Sequence, residues 1–317
     1  MFNAQTFIEE AIAGVKAKVK PGETAIIACS GGVDSTVAAA IVKEAVGDQL
    51  TAVYVDTGYM RKNESAEVRA MYAKMGLNLI FVDASQEYYE ALAGVTEPEQ
   101  KRKIIGGMFI RIFEREAKKS GAKYLVQGTI APDWIESGGE LRDVIKSHHN
   151  VGGLPKDMKL ELIEPLYHLY KDEVRKVARE LKLEIAERQP FPGPGLAIRV
   201  MGEASPERTG IVREACHIVE TEIDRAVNLG KMERPWQYFA VLLPVKTVGV
   251  HGDIRAYGYT IAVRAVESLD AMTATYSDIP HDVLERISIK ITNTIGDNIN
   301  RVVYDITHKP PGTVEWE

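Results

Sequence analysis

An α/β fold, with a parallel sheet covered by helices and a smaller α+β domain after it, is what this 317-residue sequence predicts. Three observations carry the prediction. Short apolar runs alternate with helical patterns through the first half, which implies parallel strands joined by crossing helices. The first run, Ala25-Ile26-Ile27-Ala28-Cys29, passes straight into Ser30-Gly31-Gly32-Val33-Asp34-Ser35 and a helix start. Later, Pro190-Phe191-Pro192-Gly193-Pro194-Gly195 stops both helix and strand, and the order of elements changes beyond it.

Residues 1–20 read as an amphipathic helix, with Phe7, Ile8, Ile12, Val15 and Val19 on one face and no cleavable signal pattern. Strands follow at Ala25–Cys29, Thr51–Asp56, Leu79–Val82, Tyr124–Gln127 and Leu160–Ile163. Helices are expected at Val33–Ala45, Glu64–Met75, Gln86–Ala93, Pro98–Lys119 and Lys171–Leu181. In the first of these, Val33, Val37, Ala40, Ile41 and Ala45 share one face, which packs on the sheet. The Pro-Gly segment divides the chain into domains 1–190 and 191–317. The second holds a helix near Pro206–Gly230, strands at Tyr238–Leu243 and Tyr257–Val266, a helix at Asp282–Ile295 and a strand at Arg301–Ile306. It reads as too small and too poor in strand for an independent core. Ile261, Val263 and Val266 are therefore expected to supply a surface shared by two copies.

Net charge is −6, which argues against broad nucleic-acid binding because that needs a basic face. No apolar run approaches the ~20 residues of a membrane span. Cys29 and Cys216 are the only cysteines, so neither a disulfide framework nor a four-cysteine zinc site is possible. The expected location is the cytoplasm.

Chemistry concentrates at the carboxyl ends of the expected strands, where parallel sheets bind ligands. Ser30–Ser35 turns into a helix N-terminus with free N–H groups, a positive dipole end and two hydroxyls, a cradle suited to phosphate. The plainer reading is a βα turn with Ser30 as helix cap. A Walker loop and a dinucleotide fingerprint are both absent here. Asp34 is out of place in a phosphate cradle unless a cation accompanies the phosphate, and Mg²⁺ takes one or two carboxylates plus phosphate oxygens.

Asp56-Thr57-Gly58-Tyr59-Met60-Arg61 follows the second strand, and Arg61 suits an anionic substrate. After the fourth strand, Asp133 and Glu136 are three apart. They stand either as further Mg²⁺ carboxylates or as charges favouring a helix N-terminus. Lys146, in a polar glycine-flanked loop, is placed to neutralise leaving pyrophosphate, while His148 and His149 suit hydrogen bonding better than metal ligation. The stretch from Trp134 to Lys159 lacks periodicity, as lids and disordered segments do. Lys171 opens a helix with a charged first turn. In the tail, two prolines stiffen the chain after Lys309, and Trp316 implies docking. Lys309 suits phosphate, and Glu315 suits the N–H edge of a purine.

Ser-Gly-Gly-Val-Asp-Ser resembles the pyrophosphate loop of the ATP pyrophosphatases, an adenine nucleotide α-hydrolase-like fold. Nearly the whole chain is similar to the synthetase part of GMP synthase. The likeness rests on that loop, Val55–Gly58, Lys101–Gly106, Gln127–Thr129, Pro132–Ser137, Ile145–Pro155 and Pro190–Ile198. It extends through Val248–Arg255, Met272–Ala274, Arg301–Asp305 and the tail. It implies a ligase that adenylates O2 of xanthosine monophosphate (XMP) with ATP, releases pyrophosphate, and lets ammonia displace AMP to give GMP. It further implies ATP at Cys29, Ser30, Gly31, Gly32, Val33, Asp34, Ser35, Val55 and Asp56. XMP would meet Arg61, Arg255, Lys309 and Glu315, with Mg²⁺ on Asp34, Asp133 and Glu136 and catalysis by Asp34, Asp133 and Lys146. The second domain would dimerise and bind XMP.

Most members carry a glutamine amidotransferase domain ahead of the synthetase part, and residues 1–24 are too few for one. The chain thus resembles the two-subunit form typical of archaea, with glutaminase on a separate polypeptide. NAD synthetase shares the first step but lacks the Pro-Gly break and the Lys-Pro-Pro tail. A tRNA-thiolating enzyme needs more cysteines and a basic face. A non-catalytic nucleotide sensor needs no second metal carboxylate.

Overall fold

The computed structural model describes residues 2–131, 160–269 and 271–317. It divides into two compact units. The first comprises Met1–Asp56, Ser65–Ala84 and Ile105–Arg188, and the second Thr57–Glu64, Ser85–Ile104 and Gln189–Glu317. Two stretches of the N-terminal half therefore pack with the C-terminal unit.

The first unit is built on five parallel strands: β1 (Ala25–Ala28), β2 (Leu50–Asp56), β3 (Asn78–Asp83), β4 (Tyr124–Val126) and β5 (Glu161–Ile163). Their order is β3-β2-β1-β4-β5. The chain steps outward from β1 to β3, then returns to the other side of β1 with β4. That reversal makes the carboxyl ends of β1 and β4 the topological switch point, where open α/β sheets hold ligands. Ala25, Ile26 and Ile27 of β1 are buried, as a central strand covered on both faces requires.

The helices begin where local chemistry dictates. Helix α1 (Ala4–Lys18) starts at Asn3, whose side chain accepts from Thr6 N, and carries Lys16 and Lys18 in its last turn. Helix α2 (Val33–Val46) buries Val33, Val37, Ile41 and Val42. Helices α3 (Glu64–Lys74) and α4 (Ser85–Ala91) follow. Helix α5 (Pro98–Ser120) opens on a proline, with Glu97 Oε2 accepting from Gln100 N at 2.6 Å. Helix α6 (Lys171–Glu180) starts after Tyr170, whose N–H donates to Glu173.

The second unit packs helix α7 (Pro206–Asn228) on an antiparallel ribbon of β6 (Gln237–His251) and β7 (Ile254–Glu267), and helix α8 (His281–Ile295) against α7 and the strand Ile299–Tyr304. The other edge of β7 carries β8 (Thr275–Tyr276), antiparallel, and β9 (Ile299–Tyr304), parallel. Two sequence expectations are corrected here. The unit is rich in strand, since β6 and β7 run 15 and 14 residues. Ile261, Val263 and Val266 are at most 1% exposed and belong to this unit's own core, so they offer no shared surface. The sequence understates these strands because Pro244 reads as a strand end. It instead lies at an irregularity of register between Leu243 and Lys246, after which pairing resumes. Among the described residues, no helix is long and apolar enough to cross a membrane.

Candidate active site

Helix α2 begins at Gly32, which makes no side-chain cap, so the first-turn N–H groups keep their positive end open beside β1. Ser30 therefore does not cap the helix. Its hydroxyl lies 3.3 Å from that of Ser35 and accepts from Gly32 N, while Ser35 donates to Gly32 O at 3.2 Å. Ser30 and Gly32 are exposed. Two hydroxyls and a free helix terminus thus line one turn.

The loop after β4 touches this turn. A Cβ on Gly128 would lie 2.9 Å from the Asp34 carbonyl carbon and 3.0 Å from Ser35 N. Only glycine lets the β4 loop lie this close against α2, which narrows the crevice at the switch point.

Two basic residues close in from later in the unit. Lys171 Nζ donates to Asp34 Oδ2 at 2.5 Å, and Arg188 Nη1 donates to Gly31 O at 3.3 Å. Neither is marked in the sequence: Lys171 reads there as first-turn charge, and Arg188 stands in no motif. Asp34 Oδ1 is buried without a hydrogen-bond partner among the described residues. An orphaned carboxylate oxygen beside an anion cradle fits a Mg²⁺ ion that completes its shell with phosphate oxygens. Among the described residues, no three His, Cys, Asp or Glu side chains gather as a metal site. Asp133, Glu136 and Lys146, with His148 and His149, lie outside the described residues.

Cys29 and Val55 are buried side chains at the ends of β1 and β2, so what they offer a nucleotide is backbone. Burial pushes the Cys29 thiol up to about 12. Asp56 Oδ2 accepts from Ser65 Oγ at 2.6 Å, which orients the carboxylate at the end of β2.

In the second unit, the loop carrying Arg61 is bolted to the Pro-Gly segment. Leu196 N donates to Tyr59 O at 2.8 Å, and Tyr59 OH donates to Ala204 O at 2.9 Å. Gly195 has φ +63°, and a Cβ there would lie 2.5 Å from Tyr59 O, so glycine is required twice over. The Arg61 guanidinium lies 4.4 Å from the Phe191 ring centre and donates to Gln189 O.

The tail docks in the same unit. Lys309 pairs backbone to backbone with Ala274, and its Nζ donates to Ala271 O at 2.7 Å. Both Glu315 oxygens meet the Arg199 fork, at 3.0 and 2.8 Å, and Oε1 also accepts from Gln237 Nε2. About one of the roughly four lone-pair directions of that carboxylate remains for a ligand N–H. Trp316 Nε1 donates to Asp305. Arg255 stands exposed opposite Val250 on the β6–β7 ribbon, with no hydrogen bond or ion pair to Lys309 or Glu315.

Comparison with known proteins covers both units. Residues 224–316 match the family described as GMP synthase C terminal domain, and residues 5–112 match NAD synthase. The chain is 56% identical over 315 residues to a subunit of the glutamine-hydrolyzing GMP synthase of Thermoplasma acidophilum, covering 99% of this chain and 100% of that one. The corresponding GMP synthase chain from Thermococcus kodakarensis is 57% identical over 316 residues, 99% of each chain. Among solved structures, NMN synthetase from Francisella tularensis gives a TM-score of 0.47 at 14% identity, covering 73% of this chain and 88% of that one.

Proposed function

The chain belongs to this family of glutamine-hydrolyzing GMP synthase subunits, and from that premise we propose how its residues divide the reaction. It is the synthetase part of a ligase that forms a C–N bond, consuming ATP, XMP and ammonia and yielding GMP, AMP and pyrophosphate. The observation that carries the assignment of roles is the contact of Gly128 with the Asp34–Ser35 backbone, which seats an uncapped helix terminus at the switch point.

In this reading the α2 terminus, Ser30 and Ser35 hold the β and γ phosphates, and Val55 and Asp56 support the adenosine. The α phosphate stays open to XMP O2. A keto oxygen is a poor leaving group, and adenylation turns it into AMP, which ammonia can expel. Asp34, with Asp133 and Glu136, would hold Mg²⁺, which neutralises charge on the departing pyrophosphate. Lys146 and Lys171 add positive charge to the same group. Lys309 takes the XMP phosphate and Arg61 adds positive charge for the same anionic substrate, while Arg255, which makes no contact with Lys309 or Glu315 within this chain, stays an XMP contact by family likeness alone. Glu315 offers its one remaining acceptor direction to the purine edge.

The relatives are each named as one subunit of their enzyme, and we assign glutamine hydrolysis to a separate amidotransferase polypeptide. We also propose a homodimer through the outer half of the β6–β7 ribbon, where Val248, Val250, Ile254 and Tyr257 are exposed. The nucleotide substrates favour a cytoplasmic location.

The test is turnover by the purified chain. GMP should form from XMP, Mg·ATP and ammonium, and not from glutamine as the only nitrogen source. Turnover on glutamine without another protein would refute the separate glutaminase. Pyrophosphate release that needs nicotinic acid adenine dinucleotide instead of XMP would favour NAD synthetase.

A further inference from the structure

The tail carries carboxylates at alternate positions, Glu315 and Glu317, and a buried cation meets each. Arg199 is 1% exposed. Its guanidinium carbon lies 4.1 Å from the Phe239 ring centre and 5.2 Å from that of Phe191, so the fork facing Glu315 packs against two aromatic rings. Lys101 is fully buried, and its three protons are all spent: on Glu317 Oε2, on Ala197 O at 3.1 Å and on Val200 O at 2.8 Å. The other Glu317 oxygen accepts from Gly202 N at 2.9 Å, and Arg102 donates to the Glu317 backbone oxygen. Burial lowers the Lys101 amine, and Glu317 works against that fall.

Apolar burial is only part of what holds this tail, since Val314 and Trp316 are part-buried. Among residues 308–317 only Glu317 is buried, and no apolar side chain is. Backbone pairing at Lys309, the Trp316–Asp305 bond and Arg264, which donates to Thr307 O and Thr313 O, fix its earlier turns. Glu315 and Glu317 are held by the two ion pairs, to which Gln237, Gly202 N and Arg102 add hydrogen bonds.

We propose that Arg199 and Lys101 are positioning residues for XMP: they clamp Glu315 and Glu317, and so hold Lys309 and the backbone of 313–316 in the shape that receives the nucleotide. The proposal rests on the reading that the tail binds XMP. It also gives a role to Lys101-Arg102, which the reaction leaves unused. A fork and a fully coordinated amine set direction as well as charge, which a mobile surface lysine cannot do.

The experiment measures kcat and both KM values of the full chain and its variants, with calorimetry for XMP. Arg199→Lys keeps the charge but loses the fork. Glu317→Gln keeps the shape but loses the charge. K101M/E317L removes both partners together, so no buried charge is stranded and folding is protected. Each should raise the XMP KM fivefold or more while the ATP KM stays within twofold. A smaller rise in XMP KM, or a parallel rise for ATP, overturns the proposal. Deleting 309–317 separates the two levels. If the deletion leaves XMP affinity unchanged, the tail is not the XMP site. If it abolishes XMP binding while the three variants behave as wild type, only the clamp is wrong.

Discussion

Lys171 Nζ sits 2.5 Å from Asp34 Oδ2, so the first turn of α6 places a cation on the first turn of α2. The two side chains are 47% and 29% exposed, and a pair this open is worth ~0–1 kcal/mol to folding. Under the proposed function its contribution is to catalysis instead: it would place a positive charge where pyrophosphate charge grows. Lys171→Met should lower kcat at least tenfold while moving Tm by no more than ~3 °C. Asp34→Ala should cost ~3 kcal/mol of transition-state stabilisation, about a hundredfold. Steady-state kinetics with ammonium, alongside a melting curve, checks both. Wild-type turnover in either variant removes that residue from the site.

Gly128 gives a sharper steric test. A methyl group there meets backbone on three atoms within 3.0 Å, and backbone cannot swing aside as a long side chain can. Gly128→Ala should cost ~1–3 kcal/mol through overpacking and raise the KM for ATP. Gly14 is the control. It is exposed on α1 with nothing within 4 Å of the added Cβ, so Gly14→Ala should gain ~0.5–1 kcal/mol with unchanged kinetics. Equal behaviour of the two variants in denaturant melts and ATP titrations would dismiss the close-approach argument.

The parallel sheet and its loops were readable because each strand is a short apolar run beside a turn signal, and Ser30–Ser35 sits where such signals point. What escaped depends on contacts distant in sequence. Lys171 and Arg188 meet the cradle from 137 and 157 residues away, and no local pattern marks them. Arg199 and Lys101 look like ordinary surface charges in the sequence, yet both are buried, because the partners that make burial tolerable are the tail carboxylates. The ribbon was cut short by a local rule: Pro244 ends most strands, but an irregular register let the pairing pass it.

The two cysteines supply a pH-linked prediction. Burial raises both thiols, Cys29 to about 12, so at pH 8 the Cys29 thiolate fraction is roughly one in ten thousand. Because the folded value lies above the ordinary thiol range, alkaline pH favours the unfolded state first, and activity should show no thiolate limb below pH 9. Iodoacetamide should label neither cysteine in the native protein and both in denaturant, read by mass spectrometry. Rapid native labelling of Cys29 with loss of turnover would mean that the end of β1 is open to solvent.

The proposed dimer rests on what the β6–β7 ribbon exposes beyond Pro244. Val248 pairs with Tyr257 and Val250 with Arg255, so Val248, Val250 and Tyr257 share one face. Their exposures are 43%, 72% and 66%, an apolar patch edged by the exposed Arg255, with no partner element of its own fold to cover it among the described residues. A two-fold axis across such a face buries the same residues on both copies, which is how most homodimers close. Light scattering at micromolar concentration should give twice the chain mass. Val248→Lys with Val250→Lys, two like charges beside Arg255, should give a monomer whose melting temperature, taken at matched low concentration, stays close to wild type, because exposed substitutions cost within about 0.5 kcal/mol. A monomeric wild type ends the proposal. A dimer that survives the double substitution moves the interface elsewhere, since two added lysines beside Arg255 on each copy would set like charges against each other across the two-fold axis.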